Sequence, residues 1–287
     1  MLPTAHSPIS TKMKHTKIAF IGGGNMARSI IGGLVNANTP TDEILVAEPC
    51  PETRGALEKR FGITTFAENS VAAEQADVLV LAVKPQVMRE VLLPLASIIT
   101  QRNPLLISVA AGITSRSIER WSGGNSSLVR VMPNTPALIS AGISALYANA
   151  HASEPQRNLA ESIMRAVGTT VWISDESLMD SVTAVSGSGP AYFFYVMEAL
   201  EHAAIKEGLD ADTARLLTIE TALGAARLAL ESNEGPGELR EQVTSPRGTT
   251  EAAIAMLDSE NASKIFEQAV SAAGDRSREL ATLLDED

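Results

Sequence analysis

The sequence predicts an α/β protein in which an N-terminal doubly wound parallel sheet is followed by an all-helical C-terminal domain. Short β-branched runs alternate with helical patterns from residue 17 to about residue 174, as is typical of parallel strands joined by crossover helices. After about residue 175, Ala/Leu/Glu-rich helical patterns replace them. We therefore expect a disordered tail at residues 1–16, a sheet domain at 17–175 and a helical domain at 176–287.

The predicted elements follow this division. Strands are expected at residues 18–21, 44–48, 78–83, 105–109 and 128–132, and further runs at 142–147 and 170–174 are expected to extend one edge of the sheet. Helices are expected in the first half at 26–36, 52–61 and 155–167, and in the second half at 190–207, 212–231, 238–243, 250–257 and 259–284.

One predicted helix carries information about assembly. The segment AYFFYVMEAL, residues 191–200, is apolar on nearly every face, so protein has to enclose it on all sides. A domain of about 110 residues can hardly enclose such a helix alone. We therefore expect a homodimer formed through the helical domain.

Composition narrows the classes of partner. Lys and Arg number 23 and Asp and Glu number 34, so the net charge of −11 repels nucleic acid and anionic membranes. Cys50 is the single cysteine, which excludes an intrachain disulfide and a multi-thiolate metal site and favours a reducing compartment. The first sixteen residues lack the apolar core of a signal peptide. We expect a cytoplasmic protein that binds no nucleic acid, membrane or metal.

The sharpest local motif is IGGGNMA at residues 21–27, between the first predicted strand and the first predicted helix. Gly22, Gly24 and Ala27 occupy the G-x-G-x-x-A positions of a Rossmann dinucleotide-binding fingerprint, in which the phosphates meet the helix N-terminus. Glu48 ends the second strand, where an acid accepts hydrogen bonds from the adenosine ribose, and this favours NADH. Arg54 and Thr53 follow and would suit a phosphate, so NADPH stays open. The alternative is a plain glycine-rich turn.

Several strings taken together resemble one family, the pyrroline-5-carboxylate reductases of proline biosynthesis. They are IGGGNMA (21–27), LAVKPQ (81–86), SVAAGI (108–113), VRVMPNTPALI (129–139), VSGSGPAYFF (185–194) and VTSPRGTTEAAIAML (243–257). The resemblance covers residue 17 to the C-terminus and implies a Rossmann domain, a helical domain interleaved with that of a second subunit, and larger rings of dimers. The implied reaction reduces the C=N bond of 1-pyrroline-5-carboxylate to L-proline with NADPH or NADH.

The resemblance also implies a set of cofactor positions. It places Gly22, Gly24, Asn25 and Met26 at the phosphates and Asn69 near the adenosine. Two further segments follow strands, residues 82–85 and residues 110–112, and the second of them lies near the nicotinamide. Lys84 is interpreted either as a cofactor contact or as a plain surface charge. Asn134 and Thr135 are interpreted either as part of the nicotinamide wall or as residues that only stiffen their loop. The expected cofactor residues are Gly22, Gly24, Asn25, Met26, Glu48, Asn69, Ala82, Val83, Lys84, Pro85, Ala110, Ala111 and Gly112.

The motif TSPRGTT, residues 244–250, contains Pro and Gly immediately before a predicted helix start. Free N–H groups and hydroxyls there suit a carboxylate, but the residues by themselves favour simple helix capping by Thr, and only the resemblance favours the carboxylate. The resemblance implies that Thr250 lies near the substrate nitrogen as proton donor or relay. VSGSGPAY offers a flexible glycine turn that would approach the ring, or only a helix entry. The expected substrate residues are Ser186, Ser245, Gly248, Thr249 and Thr250.

Two other functions remain open from the sequence. A non-catalytic NAD(P)-sensing scaffold would use residues 244–250 only as a cap. A β-hydroxyacid dehydrogenase would need a lysine in the first long helix of the second domain, but Lys206 lies at the far end of that helix. None of the four histidines falls in a candidate motif, so histidine acid catalysis is not expected.

Overall fold

The computed structural model describes residues 15–286, and within them the predicted α/β class is confirmed. Most of the predicted tail, residues 1–14, lies outside this range. Eight strands form one sheet in the order β3-β2-β1-β4-β5-β6-β7-β8. The strands are β1 (Ile18–Ile21), β2 (Ile44–Ala47), β3 (Thr64–Phe66), β4 (Val78–Leu81), β5 (Leu105–Ser108), β6 (Leu128–Met132), β7 (Gly142–Ala148) and β8 (Gly168–Trp172).

Strands β1 to β6 are parallel, whereas β7 runs antiparallel to β6 and parallel to β8. Every residue of β1, β2, β4 and β5 is buried, because both faces of the sheet are covered. Alternate residues of β1 enter opposite cores: Ile18 and Phe20 pack on one side, and Ala19 and Ile21 on the other.

Twelve α-helices occur in the described residues, together with four short 3-10 helices and one π-helical turn at Thr183–Gly187. The α-helices are α1 (Asn25–Asn36), α2 (Pro51–Phe61), α3 (Asn69–Ala73), α4 (Met88–Arg102), α5 (Ser115–Trp121), α6 (Glu154–Arg165), α7 (Met179–Val182), α8 (Gly189–Lys206), α9 (Ala211–Glu231), α10 (Pro236–Gln242), α11 (Thr249–Ser259) and α12 (Ala262–Glu286).

Five strands and α-helices go beyond the sequence prediction, namely β3, α3, α4, α5 and α7. Strand β3 has three residues and none of them is fully buried, so it carries almost no hydrophobic pattern. Helix α4 contains Pro94 in its interior, which normally ends a helix. Its Met88, Leu92, Leu95 and Ile99 nevertheless recur at helical spacing and are all buried. The burial of this face outweighs the backbone hydrogen bond that proline cannot make.

The chain divides into two compact units. One is Gly189–Ala272, and the other contains residues 15–188 together with the end of the chain from Ala273. Residues 176–188 and 273–286 therefore belong to the same compact unit as the sheet. The expected boundary between residues 175 and 176 stays a prediction about domains that fold independently. Residues 262–272 of α12 belong to the helical unit and the rest of this helix belongs to the sheet unit.

Candidate functional site

The predicted cofactor residues in the sheet unit all follow the carboxyl ends of strands. Residues 22–26 follow β1, Glu48 follows β2, Asn69 begins α3 after β3, residues 82–85 follow β4, and residues 110–112 follow β5. These five strands are neighbours in the sheet, and Ile21 is in register with both Ala47 and Leu81. The chain passes from β1 to β2 on one side and returns to β4 on the other, so β1 and β4 form the topological switch point where doubly wound sheets bind ligands.

Gly22 makes the tight turn at the end of β1. Its φ is +100°, and a Cβ atom at this position would lie 2.8 Å from the Ala82 carbonyl oxygen. Its N–H donates to the Ala47 carbonyl at 2.8 Å. No side chain fits here, because the backbone conformation and the neighbouring strand end both exclude it.

Gly24 differs from Gly22 in facing open space. It is the N-cap of α1, has an ordinary extended conformation with φ −69° and ψ −173°, and a Cβ atom here would have no described atom within 4 Å beyond its chain neighbours. Among residues 15–286, no side chain caps α1. The first N–H groups of the helix lack intrahelical partners, so Asn25 and Met26 present donors and the positive end of the helix dipole to this space. A pyrophosphate fits this cradle.

Glu48 is held by the glycine turn and by the start of α2. One carboxylate oxygen accepts the Gly23 N–H at 2.9 Å, and the other accepts the Cys50 N–H at 3.0 Å. Arg54 donates through Nη1 to the carbonyl oxygens of Glu48 and Pro49, at 2.7 and 2.9 Å. A carboxylate and a guanidinium are thus both anchored at the end of β2, where the adenosine ribose of a dinucleotide would lie.

The segments after β4 and β5 differ in exposure. Lys84 is exposed, and within the described part of the chain its ammonium group takes part in no ion pair. Pro85 begins a short 3-10 helix next to it. Ala110 and Gly112 are buried, and Gly112 has a φ of +74° that favours glycine. The loop after β5 is thus a fixed conformation packed against other parts of the sheet unit.

The motif at residues 244–250 forms the entry to α11 in the helical unit. Gly248 is the N-cap, and α11 begins at Thr249, so neither threonine is the capping residue. Within residues 15–286, no side chain caps this helix, and neither the Thr249 nor the Thr250 hydroxyl has a hydrogen-bond partner. Gly248 donates to the Ser245 carbonyl at 3.0 Å, and Arg247 at φ +60° donates its N–H to the Glu251 carboxylate at 2.7 Å. The turn is therefore closed by one backbone hydrogen bond and by the Glu251 carboxylate, while the first N–H groups of the helix and the threonine hydroxyls stay available.

Ser186 lies in the sheet unit, inside the π-helical turn Thr183–Gly187 that joins α7 to α8. The prediction of a flexible glycine turn at this point is wrong, because Gly187 ends the π turn, Ser188 keeps helical backbone angles of φ −82° and ψ −21°, and α8 begins at Gly189. A Cβ atom on Gly187 would lie 2.4 Å from the Met132 Cε atom, so the glycine serves close packing here. Inserted π turns are frequent at functional sites.

Two residues of the site were not predicted from the sequence. Gly23 donates to Glu48, and a Cβ atom at Gly23 would lie 2.8 Å from the Leu57 Cδ1 atom. Arg28 donates through Nε to the Gly23 carbonyl at 3.1 Å. The run of three glycines at residues 22–24 was the available signal for Gly23, whereas nothing in the local sequence pointed to Arg28.

No group of three or more His, Cys, Asp or Glu side chains in residues 15–286 is arranged to hold a metal ion. A helix able to span a membrane is likewise absent from this range.

Comparison with known proteins agrees with both halves of this description. Residues 176–280 match a family described as pyrroline-5-carboxylate reductase dimerisation, and residues 17–112 match one described as NADP oxidoreductase, coenzyme F420-dependent. The pyrroline-5-carboxylate reductase of Pseudomonas aeruginosa is 48% identical over 272 residues, which cover 95% of this chain and 99% of that protein.

Solved structures extend the similarity to the fold. A pyrroline-5-carboxylate reductase from Coxiella burnetii has a TM-score of 0.88 and 46% identity, covering 92% of this chain and 98% of that one. The pyrroline carboxylate reductase of Plasmodium falciparum, solved with NADP bound, has a TM-score of 0.84 and 27% identity, covering 94% and 99% of the two chains. These enzymes are similar to the chain over nearly its full length, which includes the dinucleotide fingerprint and the start of α11 at residues 244–250. The chain belongs to the pyrroline-5-carboxylate reductase family.

Proposed function

We propose that this protein reduces the C=N bond of 1-pyrroline-5-carboxylate to L-proline with NAD(P)H, as the last step of proline biosynthesis. The observation that carries the proposal is the combination of near full-length similarity to reductases of this name with a complete dinucleotide cradle at the switch point of the sheet. When bound, the reduced nicotinamide supplies the hydride. The protein has to hold the two reactants, exclude water and deliver one proton.

The proposed cofactor site uses the five strand ends described above. The backbone N–H groups at the start of α1 hold the pyrophosphate, and Gly24 leaves the space that it needs. Glu48 and Asn69 flank the adenosine, residues 82–85 line the central part of the cofactor, and residues 110–112 lie beside the nicotinamide. Protonated cyclic imines are already electrophilic, so proximity and alignment supply most of the rate enhancement.

For the substrate, we propose that its carboxylate binds at the start of α11. Uncapped N–H groups at a helix N-terminus favour an anion, and the hydroxyls of Ser245, Thr249 and Thr250 add donors. The absence of any hydrogen-bond partner for the Thr250 hydroxyl among the described residues supports its role as the group that delivers the proton. Ser186 is proposed as a further substrate contact.

The preference between the two nucleotides follows from Glu48 and Arg54. The Glu48 carboxylate is anchored by two backbone N–H groups, so it stays at the ribose position and would repel a 2′-phosphate. We propose that this favours NADH. The Arg54 guanidinium is fixed nearby on two carbonyl groups, and its charge allows NADPH to serve as a second cofactor.

The proposed assembly is a homodimer formed through the helical unit, and such dimers associate into a larger homo-oligomer. Phe193, Phe194 and Tyr195 of α8 are 67%, 63% and 72% exposed in a single chain, and this region falls within the matched dimerisation family. Three adjacent exposed aromatic side chains require a partner surface. We further propose a cytoplasmic location, because the single cysteine suits a reducing compartment.

A steady-state assay tests this function. NADH or NADPH oxidation is followed with and without 1-pyrroline-5-carboxylate, and L-proline is identified as the product. Turnover with proline formation is the expected result. Nucleotide binding without any turnover would favour the NAD(P)-sensing scaffold instead. The β-hydroxyacid alternative is tested by adding 3-hydroxy acids with NAD+, and no reaction is expected because Lys206, the last residue of α8, is exposed.

A further inference from the structure

We propose that the end of helix α12, residues 273–285, is a positioning element that fixes the nicotinamide loop at residues 110–112; this inference rests on the function proposed above. These residues, here called the C-terminal segment, belong to the sheet unit. Three separate contacts join the segment to the structures on which the loop depends.

The first contact is packing against the loop itself. A Cβ atom on Gly112 would lie 3.7 Å from the Ala281 backbone nitrogen, 3.7 Å from the Leu284 Cδ1 atom and 3.8 Å from the Leu280 Cβ atom. One face of the C-terminal segment therefore covers the buried Gly112. Leu284 also packs on the core cluster that contains Ala110, Ile113, Ile118 and Trp121.

A second contact is polar and joins the segment to helix α5, which begins directly after the loop. The buried Ser117 hydroxyl donates to the Asp285 carboxylate. Arg120 donates through Nη2 to the Asp285 carbonyl oxygen at 3.0 Å and lies 3.3 Å from its carboxylate. The Thr114 hydroxyl, which caps α5, also hydrogen-bonds Ser117. The segment thus holds the end of the loop at which α5 starts.

The third contact reaches the turn that carries Ser186. The Ser277 hydroxyl donates to the Asp180 carboxylate of α7 at 2.6 Å. One helical turn earlier, a Cβ atom on Gly274 would lie 3.8 Å from the Ala184 Cβ atom in the π-helical turn. The same segment therefore fixes both the proposed nicotinamide loop and a proposed substrate-contact turn.

The consequence for catalysis follows from the position of the loop. Residues 110–112 follow the last residue of β5, beyond the end of the sheet ladder, so packing rather than strand pairing has to keep their conformation. A misplacement of about 1 Å at a reacting group lowers turnover by roughly 100-fold. The C-terminal segment supplies the packing that prevents it. This assigns a catalytic consequence to residues that lie outside every motif of the cofactor site.

The experiment compares two adjacent leucines of α12. Leu284 packs on the loop and its core, whereas Leu283 is 50% exposed. In the full-length protein, L284A is expected to lower kcat about tenfold and to raise the Kd for NADH about fivefold, with the Kd for ADP-ribose unchanged. ADP-ribose contains every part of the cofactor except the nicotinamide, so the ratio of the two Kd values reports on the nicotinamide alone. L283A is expected to match the unmodified protein in kcat and in both Kd values. L284M is expected to bring the ratio of the Kd for NADH to the Kd for ADP-ribose most of the way back to that of the unmodified protein.

A second pair keeps the proposal testable if L284A does not fold. D285N removes the negative charge that faces Ser117 and Arg120, whereas E279Q removes one from an exposed ion pair with Arg276 on the same helix. D285N is expected to raise the ratio of the Kd for NADH to the Kd for ADP-ribose about threefold, and E279Q is expected to leave this ratio unchanged. Equal weakening of NADH and ADP-ribose, or an unchanged ratio in folded L284A and D285N, would overturn the proposal. Absence of turnover in the unmodified protein would instead contradict the proposed function, and the binding ratio would still decide the role of the segment.

Discussion

The two compact units differ in how much of their apolar surface a single chain covers. Strands β1, β2, β4 and β5 of the sheet unit are entirely buried, with cores on both faces of the sheet. In Gly189–Ala272, by contrast, Ala214 is the one buried apolar residue among those the structure describes, and the aromatic run of α8 is exposed. The sheet unit therefore buries its own core within one chain, whereas we expect the helical unit to cover its apolar surface against a second copy.

This difference separates two tasks. The proposed cofactor cradle is built from five strand ends above a buried core, so we expect it to form when one chain folds. The proposed carboxylate site begins helix α11 of the unit that we expect to pack against a second copy, so we expect substrate binding to depend on assembly. The following predictions test that separation, from the largest expected effect to the smallest.

G24V is expected to abolish cofactor binding while leaving the sheet unit folded. The new side chain enters the open space where the pyrophosphate would lie. Two lost hydrogen bonds to phosphate, each contributing about 1.5–3 kcal/mol, weaken NADH binding by at least roughly 100-fold. Fluorescence titration with NADH measures this, and circular dichroism measures folding. The control is G55V on α2, where a Cβ atom also meets open space but no ligand is expected. Unchanged NADH affinity in G24V would remove the start of α1 from the site.

T250V is expected to separate substrate chemistry from cofactor binding. Loss of a proton-delivering group lowers kcat by about 100-fold, whereas the Kd for NADH in the sheet unit stays the same. T250S keeps the hydroxyl and should recover most of the activity, which distinguishes proton delivery from packing of the threonine methyl group. Equal kcat values for T250V and the unmodified protein would exclude Thr250 from the mechanism.

F194E tests whether the helical unit needs its partner. If a second copy buries Phe194, replacing it by a charged residue costs about 3 kcal/mol or more and raises the dimer Kd at least roughly 100-fold. Sedimentation should then show dissociation, with kcat falling as the dimer is lost and NADH affinity maintained. L93E, which alters a 49% exposed leucine on α4 of the sheet unit, serves as the control and should leave the dimer intact. A dimeric F194E protein would place the interface elsewhere.

Two substitutions at the end of β2, one at Glu48 and one at Arg54, are expected to shift the preference between NADPH and NADH in opposite directions. This shift is the smallest of the expected effects. E48Q removes the charge that disfavours a 2′-phosphate, so the kcat/KM ratio of NADPH to NADH should rise about fivefold, equivalent to about 1 kcal/mol. R54Q should lower the same ratio by a similar factor. Ratios that do not respond to either substitution would show that neither side chain lies beside the ribose.

Much of the sheet unit was predictable because its pattern is local. The runs at residues 18–21, 105–109 and 128–132 were expected as strands, and strands are found at Ile18–Ile21, Leu105–Ser108 and Leu128–Met132. Short, largely apolar segments that end at Gly or begin after Pro suit a sheet covered on both faces. The glycine turn was likewise readable, because φ +100° at Gly22 and the approach of Ala82 both require glycine. Helix α4 escaped prediction because Pro94 masks a helical pattern that burial against the sheet sustains.

The ends of helices were less predictable than their existence. The last helix was expected from residue 259 but begins at Ala262, because Asn261 adopts φ +54° and ends α11. A flexible glycine turn was expected within residues 185–192, yet the chain forms a π-helical turn at Thr183–Gly187. This turn packs against Met132, which lies far away in the sequence. Contacts of this kind leave no periodic trace in the local sequence.

The amino-acid sequence alone determined the α/β class, the nucleotide fingerprint and the chemical character of residues 244–250, because each of these depends on residues close together in the chain. Only the tertiary structure shows that Glu48 is held by the N–H groups of Gly23 and Cys50, and that the C-terminal segment covers Gly112. The physical reason is that side-chain orientation and burial depend on residues brought together by folding, such as Gly112 and Leu284, and no local pattern encodes these pairings.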